Sequence, residues 1–415
     1  MNSFPVRPPS AGTVRKPRCP GLPAPRLVIV SNAVRTDLLE PLAGICRFQV
    51  WHLYRTMSRD VTPGLLDSRT MSFRNPLDLF LKIVRIRPSL IQGSEPYDFP
   101  HGFCLSIVAF LSAGILRVPY FFPTMENLPP EVKFRKRRGL PVGLVLAPLL
   151  RAFMRIYATK ALLIFAVNKG AAANLSAAKA SPRRVRRELY GTWGVDLGQF
   201  TPDPGGQCRG RGTTRNVLFV GRIVREKGIP ELLEAFLRVR ERLPDLRLTL
   251  IGEGPMVSEV RSFAIEHSLQ HVLSLPGVVQ NRELPSHIRM ADIVVSPSIA
   301  VDAWAEQVGM VNIQSIACGT PVVTTASGSI PEFIEDGVSG VVVPEKDPSA
   351  LASAMIRLLT DAQLHCRLST ACRRAAELRY DAFRNVAATE QVLLAALNKR
   401  PRGRGPISAP ADFSG

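Results

Sequence analysis

The chain has 415 residues, 46% of them hydrophobic, and a formal net charge of +19. This length exceeds what one hydrophobic core usually supports, so we expect two domains. The seven cysteines form no CxxC pair, which argues against a structural zinc site or a disulfide framework and favours a reducing cytoplasm. The longest apolar run without charge, residues 102–116, is shorter than the roughly 20 residues that a membrane-spanning helix needs, and we expect a core helix there.

Strands and helices are predicted to alternate along both halves of the chain. Residues 1–25 contain seven prolines and are predicted to be a disordered Pro/Arg-rich arm, not a signal peptide. Buried parallel strands are continuous apolar runs. Such runs begin at residues 26 (RLVIV), 90 (LIQG), 120 (YFFPT), 161 (ALLIFAV), 216 (NVLFV), 246 (LRLTLIG), 292 (DIVVSPS) and 321 (PVVTT). The pattern predicts an α/β fold.

The domain boundaries follow from composition. We assign residues 26–200 to a first domain and residues 216–380 to a second. Residues 201–215, TPDPGGQCRGRGTTR, lack apolar periodicity and are predicted to be the linker. Residues 381–398 are predicted to form a last helix, and residues 399–415 a disordered tail.

A strand that ends near two cations opens the second domain. Residues 217–228, VLFVGRIVREKG, run from an apolar strand through Gly221 and Arg222 to Lys227. The segment that follows is predicted to be an amphipathic helix, with Ile229, Leu232, Leu233, Phe236 and Leu243 on one face. Ligands of open α/β sheets bind at the carboxyl ends of strands. An arginine fork together with a lysine ammonium suits a diphosphate there.

Residues 302–323, DAWAEQVGMVNIQSIACGTPVV, place Glu306 before a glycine-containing turn and Gln314 within a short helix. The run from Val308 to Val311 would begin this helix. Its unpaired amides and the positive end of the helix dipole would then face one point, where an anion is favoured. Glu306 and Gln314 can both hydrogen-bond hydroxyl groups. The pattern predicts a site for a polyol that carries phosphate.

As an ordered set, these motifs resemble those of the retaining glycosyltransferases of the group 1 (family 4) type. The resemblance rests on GVDLGQF-TP at 194–202, GR-REKG at 221–228, IGEGP at 251–255, LPGVV at 275–279, ADIVVSPS at 291–298, and the segment from Glu306 to ACGTPVV. It implies the GT-B architecture, in which two Rossmann-like domains with parallel sheets face an interdomain cleft. It also implies that the last helix crosses back to the first domain.

By this resemblance, Arg222 and Lys227 hold the diphosphate of a nucleotide-sugar donor and Glu306 binds hydroxyls of the transferred sugar. These three are the candidate catalytic residues. The further candidates for donor binding are Gly221, Gly254, Val278, Val308, Gly309, Met310, Val311 and Gln314. The resemblance implies transfer with retention of anomeric configuration. Because no nucleophile is evident, we expect the acceptor hydroxyl to attack on the face that the nucleotide leaves, with no cofactor and no obligatory metal.

Gln314 stands where the family carries a second carboxylate that grips the ribose. A glutamine offers one acceptor oxygen and two donor hydrogens, and it lacks the charge that makes a hydrogen bond roughly twice as strong. We therefore expect weaker donor binding without loss of activity, and tighter donor binding after Gln314→Glu.

The first domain matches the family less closely, and the acceptor is expected to bind there. Ser31 and Asn32 follow the first strand, where many relatives carry a glycine-rich turn. Four residues that follow later strands are candidates for contacts with the acceptor or the sugar: Glu95, His101, Glu126 and Asn127.

Charge is concentrated in the first half of the chain. Residues 1–212 hold 31 lysines and arginines against 12 aspartates and glutamates, whereas residues 213–415 hold 22 of each. The densest basic segments are Lys133 with residues 135–138, ahead of an apolar segment, and Arg183, Arg184, Arg186 and Arg187 behind it. Each such cation contributes about 1 kcal/mol at an anionic membrane surface. A solvated basic face is the alternative, and nucleic acid is unlikely because no motif for it accompanies the charge.

We therefore predict a cytoplasmic glycosyltransferase, with a peripheral position at the inner face of the plasma membrane as the alternative to a solvated one. It would move a sugar from a nucleotide-diphosphate sugar to a sugar or lipid-linked acceptor, in the assembly of cell-surface polysaccharide or glycolipid. The alternatives are a non-catalytic nucleotide-sugar binding protein and an epimerase or phosphorylase on the same architecture.

Overall fold

A computed structural model describes residues 24–58, 61, 63–135, 142–187, 194–203 and 214–399. The predicted arm and tail lie almost wholly outside these residues, as do residues 204–213 of the predicted linker.

Seven parallel strands form the sheet of the first half. They are β1 (Arg26–Val34), β2 (Gln49–Met57), β3 (Thr70–Ser72), β4 (Leu90–Gln92), β5 (Tyr120–Thr124), β6 (Ile164–Ala166) and β7 (Val185–Arg186). Their order is β3-β2-β1-β4-β5-β6-β7. Helices connect them: α1 (Thr36–Leu42), α2 (Pro76–Ile86), α3 (His101–Leu116), α4 (Pro130–Arg135), α5 (Val142–Lys160) and α6 (Lys169–Ala177).

Six parallel strands form the second sheet. They are β8 (Arg215–Val220), β9 (Leu246–Ile251), β10 (Leu273–Gly277), β11 (Ile293–Ser296), β12 (Val322–Thr325) and β13 (Val341–Val343), in the order β10-β9-β8-β11-β12-β13. The helices of this half are α7 (Ile229–Arg240), α8 (Val257–Glu266), α9 (Leu284–Met290), α10 (Met310–Ala317), α11 (Ile330–Phe333), α12 (Pro348–Thr360), α13 (Ala362–Arg379) and α14 (Ala382–Asn398).

Both sheets reverse their strand order at one point, between β1 and β4 and between β8 and β11. The carboxyl ends of parallel strands open a crevice at such a point, and ligands bind there. The α/β fold with two parallel sheets, predicted from the apolar runs, is confirmed. Every strand predicted from those runs is present.

The helix expected at residues 102–116 is also present, as α3. It buries Leu105, Val108 and Ala109 on one side, while Leu111 and Ile115 are more than half exposed on the other. It is therefore a helix that covers the sheet and not a fully buried one. No helix within the described ranges is both long enough and apolar enough to cross a membrane.

The last helix, α14, lies against the first sheet. Leu393 packs with Leu27, Ile29 and Phe121 in one buried cluster. The carboxylate of Glu390 accepts a hydrogen bond of 2.7 Å from the backbone N–H of Arg47. Because α14 follows the second sheet in sequence, these contacts connect the two halves of the molecule.

One expectation about cysteines is wrong. Cys104, Cys318 and Cys372 are free thiols, but Cys366 is disulfide-bonded. The absence of a CxxC pair therefore did not exclude a disulfide.

Candidate functional site

The turn after β8 is held against the end of β11. Gly228 has a left-handed backbone, with φ of 69°, and a Cβ atom there would lie 1.9 Å from the carbonyl oxygen of Pro297. The backbone N–H of Ile299 donates to the carbonyl of Glu226 at 2.9 Å. Only glycine allows both this conformation and this close approach, and the result is that Lys227 adjoins the loop that follows β11.

Lys227 forms an ion pair with Glu306 in that loop. Its ammonium contacts Glu306 Oε2, and the hydroxyl of Ser298 donates to the same oxygen at 3.0 Å. The Lys227 Nζ also lies 4.9 Å from the centre of the Trp304 ring, within the range of a cation–π contact. The side chains of Lys227 and Glu306 are 19% and 12% exposed, so the pair is largely shielded but open to a ligand on one side.

Arg222 occupies a different position from Lys227. Its guanidinium is 61% exposed and approaches Glu226 Oε1 at 3.5 Å, a long contact. A surface ion pair of this kind contributes little to stability, so the guanidinium can move to a ligand at small cost. Arg222 and Lys227 thus lie on one turn, Arg222 exposed in a long contact with Glu226 and Lys227 shielded in its pair with Glu306.

The amino end of α10 supplies free amides close by. Gly309 precedes the helix with φ of 74° and provides no side-chain cap. The first amides of the helix, at Met310 and Val311, therefore depend on water or a ligand for partners. The predicted start of this helix is confirmed to within two residues. Val308 is buried in the core, so it can contribute only backbone to a site.

The loop before α10 faces the first domain. The amide of Asn127 donates to the carbonyl of Glu306 at 2.8 Å, and the amide of Asn168 donates to the carbonyl of Gln307 at 3.2 Å. Gly328 makes this fit possible, because a Cβ atom there would lie 2.3 Å from Glu306 O and 2.9 Å from the Asn127 amide nitrogen. The Lys227–Glu306 pair is therefore at the junction of the two domains.

Three other donor candidates lie around the donor turn, at the end of β10 and between the domains. Gly254 packs on the turn after β8, where a Cβ atom would lie 2.2 Å from Ile223 O, so it supports that turn. Val278 is 67% exposed after β10. Gln314, on α10, lines a small space between the domains together with Asp37, Glu40 and Asp196 of the first domain.

A cavity of about 410 Å³ opens on the first-domain side of the junction. Its polar lining residues are Ser31, Asn32, Gln92, Ser94, Glu95, Asp98, Glu126, Lys133 and Gln307. Ser31 and Asn32, which replace the expected glycine-rich turn, line this cavity directly. Gln307 is contributed by the second domain, and its side-chain amide lies 3.4 Å from Glu126 Oε2.

Glu95 and Glu126 form the buried base of this cavity. Glu95 Oε2 accepts from the backbone N–H of Met125 at 2.9 Å, and Glu126 Oε2 contacts the ammonium of Lys133. Burial raises the pKa of Glu95 to about 7, opposed by a hydrogen bond from Thr124 and reinforced by the neighbouring charge of Glu126.

Of the other first-domain residues singled out from the sequence, Lys133 is buried and His101 is exposed. Lys133 was counted with the basic surface, and this is wrong: its ammonium is buried between Glu126 and the carbonyl of Tyr97, 2.9 Å away. His101 begins α3 in an exposed contact of 2.7 Å with Arg55, and it is not among the described residues that line the cavity. Its role at the acceptor stays a prediction.

Sequence reasoning missed Ser298, Trp304, Gln307 and Asn168. Ser298 and Trp304 lie within eight residues of Glu306. They could have been predicted because they belong to the same loop as Glu306, which was already a candidate. Gln307 and Asn168 act across the domain junction, which no local pattern shows. Within the part of the chain described, no group of three His, Cys, Asp or Glu side chains is placed to hold a metal ion. That the reaction needs no obligatory metal stays a prediction.

Comparison with known proteins supports the interpretation of the second half. Residues 209–376 match the family model of glycosyl transferases group 1. Over 188 residues the chain is 34% identical to a GDP-mannose-dependent alpha-(1-6)-phosphatidylinositol monomannoside mannosyltransferase of Mycolicibacterium smegmatis, covering 43% of this chain and 49% of that protein. Over 182 residues it is 36% identical to a D-inositol 3-phosphate glycosyltransferase of Paenarthrobacter aurescens, covering 41% of this chain and 42% of that protein. The chain thus spans less than half the length of each of these relatives.

Solved structures match the whole architecture. Anabaena Alr3699/HepE, in complex with UDP and glucose, has a TM-score of 0.67 at 17% identity, covering 89% of this chain and 100% of that one. Sucrose-phosphate synthase from Thermosynechococcus elongatus has a TM-score of 0.67 at 18% identity, covering 91% of this chain and 100% of that one. At such identities the likeness concerns the fold. The chain therefore has the GT-B fold, and its residues 209–376 are similar to the group 1 glycosyl transferases.

Proposed function

We propose that this protein is a retaining glycosyltransferase that uses a nucleotide-diphosphate sugar as donor and a hydroxyl group as acceptor. The match to group 1 glycosyl transferases over residues 209–376 supports the reaction class. The observation that carries the proposal is the Lys227–Glu306 ion pair at the domain junction, next to the uncapped amino end of α10.

The diphosphate of the donor would replace Glu306 as the partner of Lys227. A diphosphate that approaches Lys227 competes with the Glu306 carboxylate for the ammonium, and the exposed guanidinium of Arg222 can turn to bind it in two places. Glu306 is then free to accept hydrogen bonds from the hydroxyls of the sugar. The amides of Gly309 and Met310 complete the site for negative charge.

The acceptor would enter from the first-domain cavity. Gln307 lines that cavity, and its neighbour Glu306 contacts Lys227, so donor and acceptor sites meet at two consecutive residues. The candidates Glu95, Glu126 and Asn127 lie on the first-domain side of this meeting point.

The chemical step would break the bond between the anomeric carbon and the diphosphate oxygen. The diphosphate leaves with the electron pair, and Lys227, Arg222 and the α10 amides stabilise its growing charge, often the largest catalytic effect. The acceptor oxygen forms the new bond on the same face, and its proton passes to the leaving phosphate oxygen. This order of events gives retention.

The outer face of α5 supports a peripheral contact with an anionic membrane. Leu144, Val145, Leu149 and Ile156 are 78%, 66%, 61% and 51% exposed and recur at helical spacing on one side of α5. Arg155 and Lys160 lie on the same side and are exposed. Apolar residues with adjacent cations are typical of a helix that lies in a membrane surface. A cytoplasmic protein at the inner face of the plasma membrane, acting on a lipid-linked acceptor in glycolipid or polysaccharide assembly, fits this surface.

The test is to incubate the purified protein with UDP-, GDP- and ADP-sugars and a membrane lipid extract, and to measure nucleoside diphosphate release and labelled product. Lys227→Ala is expected to lower turnover by about a hundredfold or more. Arg225→Ala, an exposed cation on the same turn, is the matched control and should change turnover little. Near-normal turnover of Lys227→Ala would refute the assigned role, and NMR of the product's anomeric proton decides retention.

A non-catalytic binding protein is the main alternative, and Gln314 is what favours it. It predicts a protein whose melting temperature rises with a nucleotide sugar, as expected for a ligand of the folded state, but which forms no product with any acceptor.

A further inference from the structure

The first-domain cavity has a charge opposite to that of the domain around it. Among the residues that the structure describes, three carboxylates line it, Glu95 and Glu126 at its base and the exposed Asp98 at its rim, against one ammonium, that of Lys133. The chain up to residue 212 carries 31 basic against 12 acidic residues. The other described lysines and arginines of the domain therefore lie outside the lining of the cavity.

Lys133, the one cation among the described lining residues, is already engaged. Lys133 Nζ contacts Glu126 Oε2 and donates to the carbonyl of Tyr97 at 2.9 Å, and its side chain is 11% exposed. A phosphate in the cavity would have to take this ammonium from Glu126 and leave a buried carboxylate without its cation. Leaving one charge of a buried pair uncompensated is strongly unfavourable.

The other polar groups of the cavity suit hydroxyls. Asn32, Gln92, Ser94 and Gln307 each combine donor and acceptor atoms. Carboxylate oxygens such as those of Glu126 accept from sugar hydroxyls in charge-assisted hydrogen bonds. The polar part of the lining thus offers many partners to a polyol and few to an anion, and the remaining lining is apolar, formed by Ile29, Val30, Leu38, Leu42, Pro123 and Met125.

We propose that this cavity binds an uncharged, hydroxyl-rich end of the acceptor and excludes phosphate, so that any phosphate of a larger acceptor stays at the basic outer surface. The inference rests on the proposed function, since it names the acceptor class of the same enzyme. It also assigns Gln307 of the second domain as a residue that positions the acceptor.

The experiment compares the methyl α-glycosides of glucose, mannose and galactose with their 6-phosphates, as ligands of the full chain titrated by NMR at physiological salt. Each uncharged glycoside that binds should bind about tenfold tighter, or more, than its 6-phosphate. Glu126→Gln releases Lys133 and should reduce this ratio severalfold. Glu131→Gln, on the exposed side of α4, is the matched control and should leave the ratio unchanged.

A 6-phosphate that binds the unaltered protein as tightly as its parent glycoside would overturn the proposal, and so would failure of all three glycosides to bind. This comparison needs no variant, so it stands even if Glu126→Gln misfolds. Donor binding is measured in the same samples with UDP, GDP and ADP. If no nucleotide binds while the glycosides are still selected over their phosphates, the proposed function fails and the cavity assignment survives.

Discussion

Glu95→Gln should make the stability of the protein less dependent on pH and should stabilise it above neutral pH. Glu95 is 7% exposed at the base of the cavity. Burial, the largest cause, raises its pKa from 4.5 to about 7. At 1.36 kcal/mol per pKa unit, a change of this size corresponds to about 3 kcal/mol of free energy between the two protonation states.

The direction of this pH dependence follows from the proton that Glu95 holds in the folded protein. Between pH 4.5 and about 7 the native protein keeps a proton on Glu95 that the unfolded chain releases. The free energy of unfolding therefore falls by up to about 3 kcal/mol as pH rises through this window. Above and below the window, Glu95 contributes no further pH dependence. Glutamine has nearly the shape of the protonated acid but does not ionise, so the variant lacks this loss.

Urea unfolding at pH 5 and pH 8, followed by circular dichroism, measures the effect. We expect the natural protein to lose more stability than Glu95→Gln between the two values, and the variant to exceed it at pH 8 by about 2 to 3 kcal/mol. Glu266→Gln, an exposed position on α8, should behave like the natural protein. A variant that falls in parallel with the natural protein would show that Glu95 ionises freely in the folded state.

Two further changes test the close approach at the donor turn and the membrane surface. Gly228→Ala should reduce both stability and turnover, because a left-handed alanine costs about 1 to 2 kcal/mol and its Cβ atom would meet the backbone after β11. Gly277→Ala is the control, since Gly277 is also left-handed but has open space around it. In thermal unfolding, Gly277→Ala should lower the melting temperature less than Gly228→Ala. The double change Leu149→Glu and Ile156→Glu should weaken sedimentation with anionic vesicles severalfold while leaving nucleotide binding intact, since it removes apolar contact and adds repulsion. If the variant sediments with the vesicles as well as the natural protein does, this face of α5 does not contact the membrane and the basic charge belongs to a solvated surface.

The second-domain half of the site was predictable because its residues follow one another closely in sequence. Arg222 and Lys227 come directly after a continuous apolar strand, and Glu306 comes directly before a helix whose start Gly309 marks. Local patterns of this kind place a side chain at a known end of a known element, and the structure has these elements at the predicted positions.

The first-domain half was predictable only in part. Glu95 and Glu126 were identified from the strands that they follow, but Lys133 was assigned to the surface because it stands in a basic run. Its burial depends on contacts with Glu126 and Tyr97, made across separate loops. Strands β2 and β3 were missed for a related reason: β2 is half exposed and carries polar residues, and β3 has three residues, so neither is a continuous apolar run.

Gln314 shows how the assembled domains change an expectation drawn from one motif. From the motif alone, a glutamate at this position should bind the ribose more tightly, through charge-assisted hydrogen bonds. The structure adds an opposing effect, because Gln314 lines the same space as Glu40 and Asp196 of the first domain. Burial, followed by the charges of Asp196 and Asp37, already raises the pKa of Glu40.

A further carboxylate in this space would repel those present, and like charges at short range disfavour ionisation or domain closure. Because the added charge would face the carboxylates that already line this space, we expect Gln314→Glu to bind nucleoside diphosphates more weakly than the natural protein. Adding Glu40→Gln to that variant should restore the affinity, because it removes one of the repelling charges. Calorimetric titration of UDP, GDP and ADP into the three proteins decides the matter. Tighter binding by the single variant would mean that the first-domain carboxylates lie too far from residue 314 to matter, and that the ribose is held by the second domain alone.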